Sequence, residues 1–297
     1  MKSAFVVGEA LIDLVSHNGK ISAHVGGGPA NTAKALARLG FQSIFIGGIS
    51  HDEYGTLIEA ELSQSCVDLS LANRLDLPTA IARAIIDESG RAQYEFELEG
   101  TATFSFASSW LPTGPVDVLH IGSVATLIEP GASELFKWAY DLDTVLIFDP
   151  NVRPSIRGDS ESYRHVVESW ISISDVIKLS DDDLHWLYQE SEVEVVAKWL
   201  ESGVSLVIVT LGADGLRAYG DGFVLSVPSA SIHLVDSVGA GDTIGAVLVG
   251  GVLDNGLTGL LHQKILLDVL KRAVSAAGIT CSRAGANPPW LEELDRI

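Results

Sequence analysis

Asp236-Ser-Val-Gly-Ala-Gly-Asp242-Thr-Ile-Gly245, with the apolar run Ile244–Leu253 behind it, decides how this chain is read. Gly239, Ala240 and Gly241 are small enough for the backbone to turn tightly and bring N–H groups close to a ligand. The apolar run reads as a buried helix. A small-residue turn that opens a helix is an anion site, because the first N–H groups lack partners and the dipole is positive there. Asp242 admits two readings in that first turn. It can be a stabilising acid near the helix start. It can also be a carboxylate beside an anion hole, placed to take a proton from a hydroxyl that attacks phosphorus.

A second glycine cluster bears on the choice. Val25-Gly-Gly-Gly-Pro-Ala-Asn31-Thr-Ala-Lys-Ala-Leu-Ala-Arg-Leu-Gly40 reads as a glycine turn and then a helix. Pro29 suits a first helical turn, the Ala and Leu residues supply a packed face, and Gly40 closes the helix. The segment lacks the Gly-Lys-Ser/Thr ending of a Walker loop. It also lacks Gly-x-Gly-x-x-Gly after the first strand, which argues against a dinucleotide-binding oxidoreductase.

Between the two clusters, short apolar runs alternate with helical patterns. Ser3–Gly8, Ser43–Gly47, Val116–Gly122, Thr144–Asp149, Asp175–Leu179 and Val204–Thr210 read as buried strands. Glu53–Ser65, Gly131–Leu142, Glu161–Ile173, Val193–Glu201 and Leu260–Cys281 read as helices. This alternation predicts an α/β fold, with a mostly parallel sheet covered on both faces and a ligand cleft beyond the C-terminal strand ends. Asp149-Pro-Asn-Val-Arg153, Lys178-Leu-Ser180 and Thr210-Leu-Gly212 all fall at such ends. One stretch differs. Thr79–Asp87 and Ala92–Glu99 read as two strands around a glycine turn, the second setting Tyr94, Phe96 and Leu98 against Glu95, Glu97 and Glu99. That is a hairpin with one wet face, either an annex to the main sheet or, with residues 10–25, a small separate sheet over the cleft.

Together these motifs resemble the ribokinase-type (PfkB) sugar kinases across residues 3 to 290. Gly26–Asn31 with Gly40, Gly48, Asp52 and Gly55 is similar to that family's first signature, and Asp236–Asp242 to its second. Gly8-Glu-Ala-Leu-Ile-Asp13 resembles the fructokinase branch. The resemblance implies one ribokinase-like domain over 1–297, with a β-sheet lid from about 10–25 and 79–100 that often pairs with a second subunit's lid, hence a homodimer. It implies transfer of the γ-phosphate of ATP to a sugar hydroxyl with Mg2+, fructose being the expected sugar. Ribokinase and 2-keto-3-deoxygluconate kinase activities are the alternatives within the family. A sugar-binding sensor without catalysis is the alternative from another class.

Carried over residue by residue, the resemblance makes Asp242 the base and Gly239, Ala240 and Gly241 the anion hole. Asp13, Gly27, Gly28 and Asn31 then hold sugar hydroxyls, although Asn31 alone could be a helix cap and Asp13 a surface acid. Arg153 suits phosphate or substrate contact, or a salt bridge to Asp149. Thr210, Gly212 and Gly215 would approach the nucleotide, or serve as turn residues. Lys178-Leu-Ser180-Asp-Asp-Asp183 departs from the family, which has Asn and then Glu where this chain has Ser180 and Asp183. Ser180 and Asp183 keep a water-mediated metal role and also match a helix-capping pattern. In some relatives a monovalent cation, K+, sits where Asp236 and Val238 here approach the Ser282–Ala286 turn.

Composition limits the remaining classes. A formal charge of −20 over 297 residues argues against nucleic acid and anionic membranes as partners. Positive potential at an ATP site must therefore be local. Cys66 and Cys281 lack metal spacing and read as reduced thiols. The N-terminus has no signal-peptide architecture, and no apolar run approaches the roughly 20 residues of a bilayer span. The expected location is the cytoplasm. His24, His120 and His233 show no metal spacing and read as packed or solvated side chains.

Overall fold

The computed structural model describes residues 2–17, 20–86 and 92–296. Its main sheet has eight strands. From one edge they are Phe223–Val227, Leu216–Gly220, Leu206–Thr210, Val176–Ser180, Val145–Asp149, Val118–Gly122, Ser3–Val7 and Gln42–Ile46. From Leu206–Thr210 to Gln42–Ile46 every pairing is parallel, and the two pairings at the other edge are antiparallel. The order follows from what each strand buries. Ala4 and Val6 face one core and Phe5 and Val7 the other; Val176 faces the first and Ile177 and Leu179 the second. With both faces apolar, such strands belong inside a sheet covered by helices on each side.

The helices Gly28–Arg38, Ala240–Leu260 and Gln263–Cys281 pack into the first core. Gly131–Tyr140, Ser160–Ile171, Asp181–Leu187 and Glu192–Glu201 pack into the second, where Trp170 stacks on Phe148. The sequence-based elements all appear, with ends shifted by a few residues. The helix expected over 244–253 runs from Ala240 to Leu260, broken near its end by Gly256 at φ 69°. At 21 residues it is apolar enough on length and composition to cross a bilayer, contrary to the sequence-based expectation. Yet 67% of its most apolar stretch is buried inside the protein, which makes it a core helix.

The expected hairpin is not an annex to the main sheet. Ile81–Ile86 and Ala92–Glu97 join Leu11–His17 and Lys20–Gly26 in a separate four-stranded sheet, ordered Lys20–Gly26, Leu11–His17, Ile81–Ile86, Ala92–Glu97. Leu98 is buried, Phe96 half-buried, and Glu95, Glu97 and Glu99 exposed, as the alternation requires. The Glu-Ser-Gly-Arg turn lies outside the described residues, and so does the side chain of Tyr94.

Candidate active site

The two glycine-rich turns meet at the C-terminal ends of the main strands. Gly27 precedes the helix Gly28–Arg38 at φ 103°, and a Cβ there would lie 2.4 Å from the carbonyl oxygen of Glu9. Only glycine fits both the dihedral and the space. Gly239 starts the helix Ala240–Leu260 in the left-handed conformation, packed against Ala286. The two helix starts converge so that the Asn31 amide donates to Asp242 Oδ2 at 2.9 Å. Asp242 is thus a buried carboxyl in the first turn of an apolar helix.

Behind it lies a buried ion pair, Lys178 Nζ to Asp149 Oδ2 at 2.8 Å. A Cβ on Gly241 would sit 2.9 Å from that ammonium, so a small residue lets Lys178 reach the anion turn. Burial raises the Asp242 pKa to about 6, and Asp149 adds to the rise. Lys178, the Asn31 amide and Arg153 oppose it. Burial works against the Lys178 ammonium, but Asp149, Asp242 and Asp183 together hold its pKa above the ordinary value. A carboxyl poised near 6 beside a fixed cation can take a proton at neutral pH.

A cavity of about 290 Å³ opens over these groups. On the side of the main sheet it is lined by Glu9, Gly27, Gly28, Asn31, Ser123, Val124, Asn151, Arg153, Lys178, Ser237, Val238, Gly239, Gly241 and Asp242. The small sheet closes the other side with Leu11, Asp13, Ala82 and Phe96. A larger open depression of about 800 Å³ along Arg157–Glu168 contains none of these groups. Asp13 is partly buried, and that burial raises its pKa against the pull of Arg153 and His24. The Arg153 guanidinium donates to the carbonyls of Asn151 and Val152. Its salt bridge with Asp149 does not form; Asp149 takes Lys178 instead.

Other sequence-derived positions sit outside the cavity. Ala240 is not among its lining residues, and its N–H donates to the Ser237 carbonyl at 3.3 Å. Ser180 and Asp183 form the reciprocal cap of the helix Asp181–Leu187, at 3.0 and 3.1 Å. The second oxygen of Asp183 accepts from the Val152 N–H. Thr210 pairs with Ser180 at neighbouring strand ends. Gly212 has open space around it, whereas Gly215 packs 2.1 Å from the Val227 carbonyl, measured to an added Cβ, and is a turn glycine. Asp236 accepts from the N–H groups of Val238 and Gly285, tying its segment to the Ser282–Ala286 turn. His24 and His233 are exposed, while His120 is buried, and burial, aided by the Lys178 charge and opposed by Asp149, lowers its pKa to about 4 and keeps it neutral. No group of three His, Cys, Asp or Glu able to hold a metal occurs among the described residues.

Glu9, Ser123 and Asn151 were not singled out from the sequence as site residues. Glu9 and Asn151 lie inside motifs read there, Gly8–Asp13 and Asp149–Arg153. Ser123 follows the strand Val118–Gly122, and only the adjacency of that strand to Ser3–Val7 brings it to the cavity.

The profile of the pfkB family carbohydrate kinases matches residues 1–293. The fructokinase of Rhizobium leguminosarum bv. trifolii is 34% identical over 263 residues, spanning 84% of this chain and 80% of that one. Fructokinase-1 of Oryza sativa subsp. japonica is 31% identical, spanning 97% and 94%. The crystal structure of the Vibrio cholerae O395 fructokinase with fructose, ADP and calcium ion bound aligns with a TM-score of 0.88 at 25% identity, covering 100% of this chain and 98% of that one. The profile and these alignments extend over most or all of the chain, and the chain belongs to the pfkB family of carbohydrate kinases.

Proposed function

We propose that this protein is a fructokinase, moving the γ-phosphate of ATP onto a hydroxyl of fructose. The observation that carries the reading is the buried Asp242 carboxyl, held by Asn31 at the mouth of the Gly239–Gly241 turn. The fructokinases among its relatives and the fructose- and ADP-bound Vibrio cholerae enzyme support the choice of sugar and nucleotide.

In this reading the sugar lies between Asp13, the Gly27–Gly28 backbone and Asn31. Its attacking hydroxyl gives its proton to Asp242 as the new O–P bond forms and the bond to ADP breaks. The N–H groups of Gly239 and Gly241 and the Lys178 ammonium take up charge on the transferring phosphate, an interaction of the kind that contributes on the order of 3 kcal/mol per donor. Arg153 adds a cation at the cavity rim. Magnesium would enter on the nucleotide and neutralise phosphate charge. Asp183 suits a water-mediated contact to it, since each of its oxygens accepts one N–H and keeps a further lone pair. A monovalent cation at Asp236 and Val238, a dimer through the small sheet, and a reducing compartment for the free Cys66 and Cys281 belong to the same proposal.

The test is ADP release measured with fructose, ribose, 2-keto-3-deoxygluconate and a panel of nucleosides. Fructose should give the highest kcat/KM. Preference for another sugar would move the substrate, and no release with any of them would remove the kinase reading.

A further inference from the structure

Glu9 is 1% exposed, carries a carboxyl and lies against the candidate sugar cavity. It leaves the C-terminal end of the strand Ser3–Val7, whose neighbour Val118–Gly122 runs parallel to it with Val7 opposite Ile121. That neighbour continues into the turn Ser123–Thr126, and Glu9 Oε2 accepts the N–H of Ala125 within it at 3.1 Å. The turn needs such an anchor. Ser123 sits at φ 58°, a left-handed conformation that a non-glycine residue holds only when its surroundings enforce it.

On its other side Glu9 meets the first glycine turn. Its carbonyl is packed against Gly27, and a Cβ on Gly8 would clash with Pro29, at 2.4 Å, while touching Ala125, at 3.4 Å. Residues 8 and 9 therefore form a wedge between two walls of one cavity, one carrying Gly27 and Gly28, the other Ser123 and Val124. We propose that Glu9 is a positioning residue for the sugar site, its carboxylate fixing the Ser123–Thr126 turn against the Gly27–Gly28 backbone. The sugar as ligand rests on the function proposed above; the anchoring of the turn does not.

The carboxyl is also titratable in a useful range. Burial lifts its pKa to about 7, while the Ser123 hydroxyl, the Ala125 N–H and Arg153 favour the charged form. Tyr163, whose hydroxyl accepts from the Arg153 N–H, also feels the Glu9 charge, and Asp13, Lys178 and Asp242 share the cavity. The anchor is thus strongest with Glu9 ionised and weakens as pH falls through about 7.

The experiment compares wild type, Glu9→Gln and Glu9→Ala in the full chain. It follows KM for fructose and for ATP from about pH 6 to about pH 8.5, and hydrogen exchange at the Ala125 amide without substrate. Glu9→Ala should raise the fructose KM at least about tenfold, change the ATP KM little, and speed exchange at Ala125. Wild-type fructose KM should climb as pH falls through about 7, and Glu9→Gln should flatten that climb. A Glu9→Ala enzyme with wild-type fructose KM at every pH, or one whose sugar and ATP KM rise together, overturns the proposal. If the wild type leaves fructose untouched, the function reading fails by itself. Exchange at Ala125 then decides: unchanged protection in Glu9→Ala removes the anchor, and lost protection upholds it.

Discussion

The side-chain amide of Asn31 donates to Oδ2 of Asp242 at 2.9 Å across 211 positions of sequence. The contact locks the starts of the helices Gly28–Arg38 and Ala240–Leu260 together. It also orients the carboxylate that faces the cavity, and it stabilises the charged form of Asp242 against burial.

A pH dependence follows. Asp242 accepts a proton only when ionised, so kcat should fall as pH drops below about 6. Asn31→Ala removes an interaction that lowers this pKa, so the acidic limb of its kcat profile should move to higher pH. The same substitution should weaken sugar binding by about 1–3 kcal/mol with ATP affinity nearly unchanged. Steady-state kinetics across pH, with calorimetry for the two ligands, reads both. A limb in the same place for both proteins would detach Asn31 from the titration of Asp242.

Lys178→Met leaves Asp149 buried without its cation, which typically costs about 3–5 kcal/mol. It also removes the largest opposing influence on the Asp242 pKa. Urea unfolding should show the stability loss, and the acidic limb of kcat should shift upward in pH. Full stability with an unshifted limb would mean that the pair is decoration.

Stability should carry the signature of the raised acids. Glu9, at about 7 in place of 4.5, and Asp242, at about 6 in place of 3.8, hold their protons more tightly folded than unfolded. Their contribution is therefore most favourable below the unfolded values and is lost as pH rises through the folded ones, from about 4 to about 7. For Glu9 the difference amounts to roughly 3 kcal/mol. Glu9→Gln should accordingly gain stability relative to wild type at pH 8 and much less at pH 4.5. Equal differences at both pH values would place Glu9 at an ordinary pKa.

Much of this was legible in the sequence, because the strands bury both faces and are punctuated by glycine. Runs such as Val-Leu-Ile-Phe-Asp149 admit few other readings, and Gly239 and Gly27 mark turns that other residues cannot make. The edge hairpin Leu216–Gly220 and Phe223–Val227 escaped that reading, although Asp221-Gly222 is a hairpin turn signal and Gly222 adopts φ 72°. Glu9 and Ser123 were not legible as a pair, since their meeting depends on which strands become neighbours. The Lys178–Asp149 pair was hidden for the same reason: each residue sits on its own strand, and periodicity says nothing of sheet order. Ser180 and Asp183 carried two readings, and the capping box is the one the hydrogen bonds display.

The small sheet supplies a mechanical prediction. Leu11, Asp13, Ala82 and Phe96 close one side of the cavity from a sheet separate from the main one. A cover that opens for sugar belongs to the less stable part of a fold. Hydrogen exchange in Ile81–Ile86 should slow on adding fructose, more than in Val145–Asp149. Phe96→Asp should loosen sugar binding, self-association or both while the main sheet stays folded. Unchanged affinity and unchanged oligomeric state would make this sheet a static wall.

The most direct measurement is the turnover of Asp242→Asn with ATP and fructose, followed by ADP release, with binding of each ligand measured alongside. The substitution keeps the shape of the side chain and removes its capacity to take a proton. Turnover should fall at least about a hundredfold while the protein stays folded and binds ATP near normally. Turnover at the wild-type rate would contradict the assignment of Asp242 as the base.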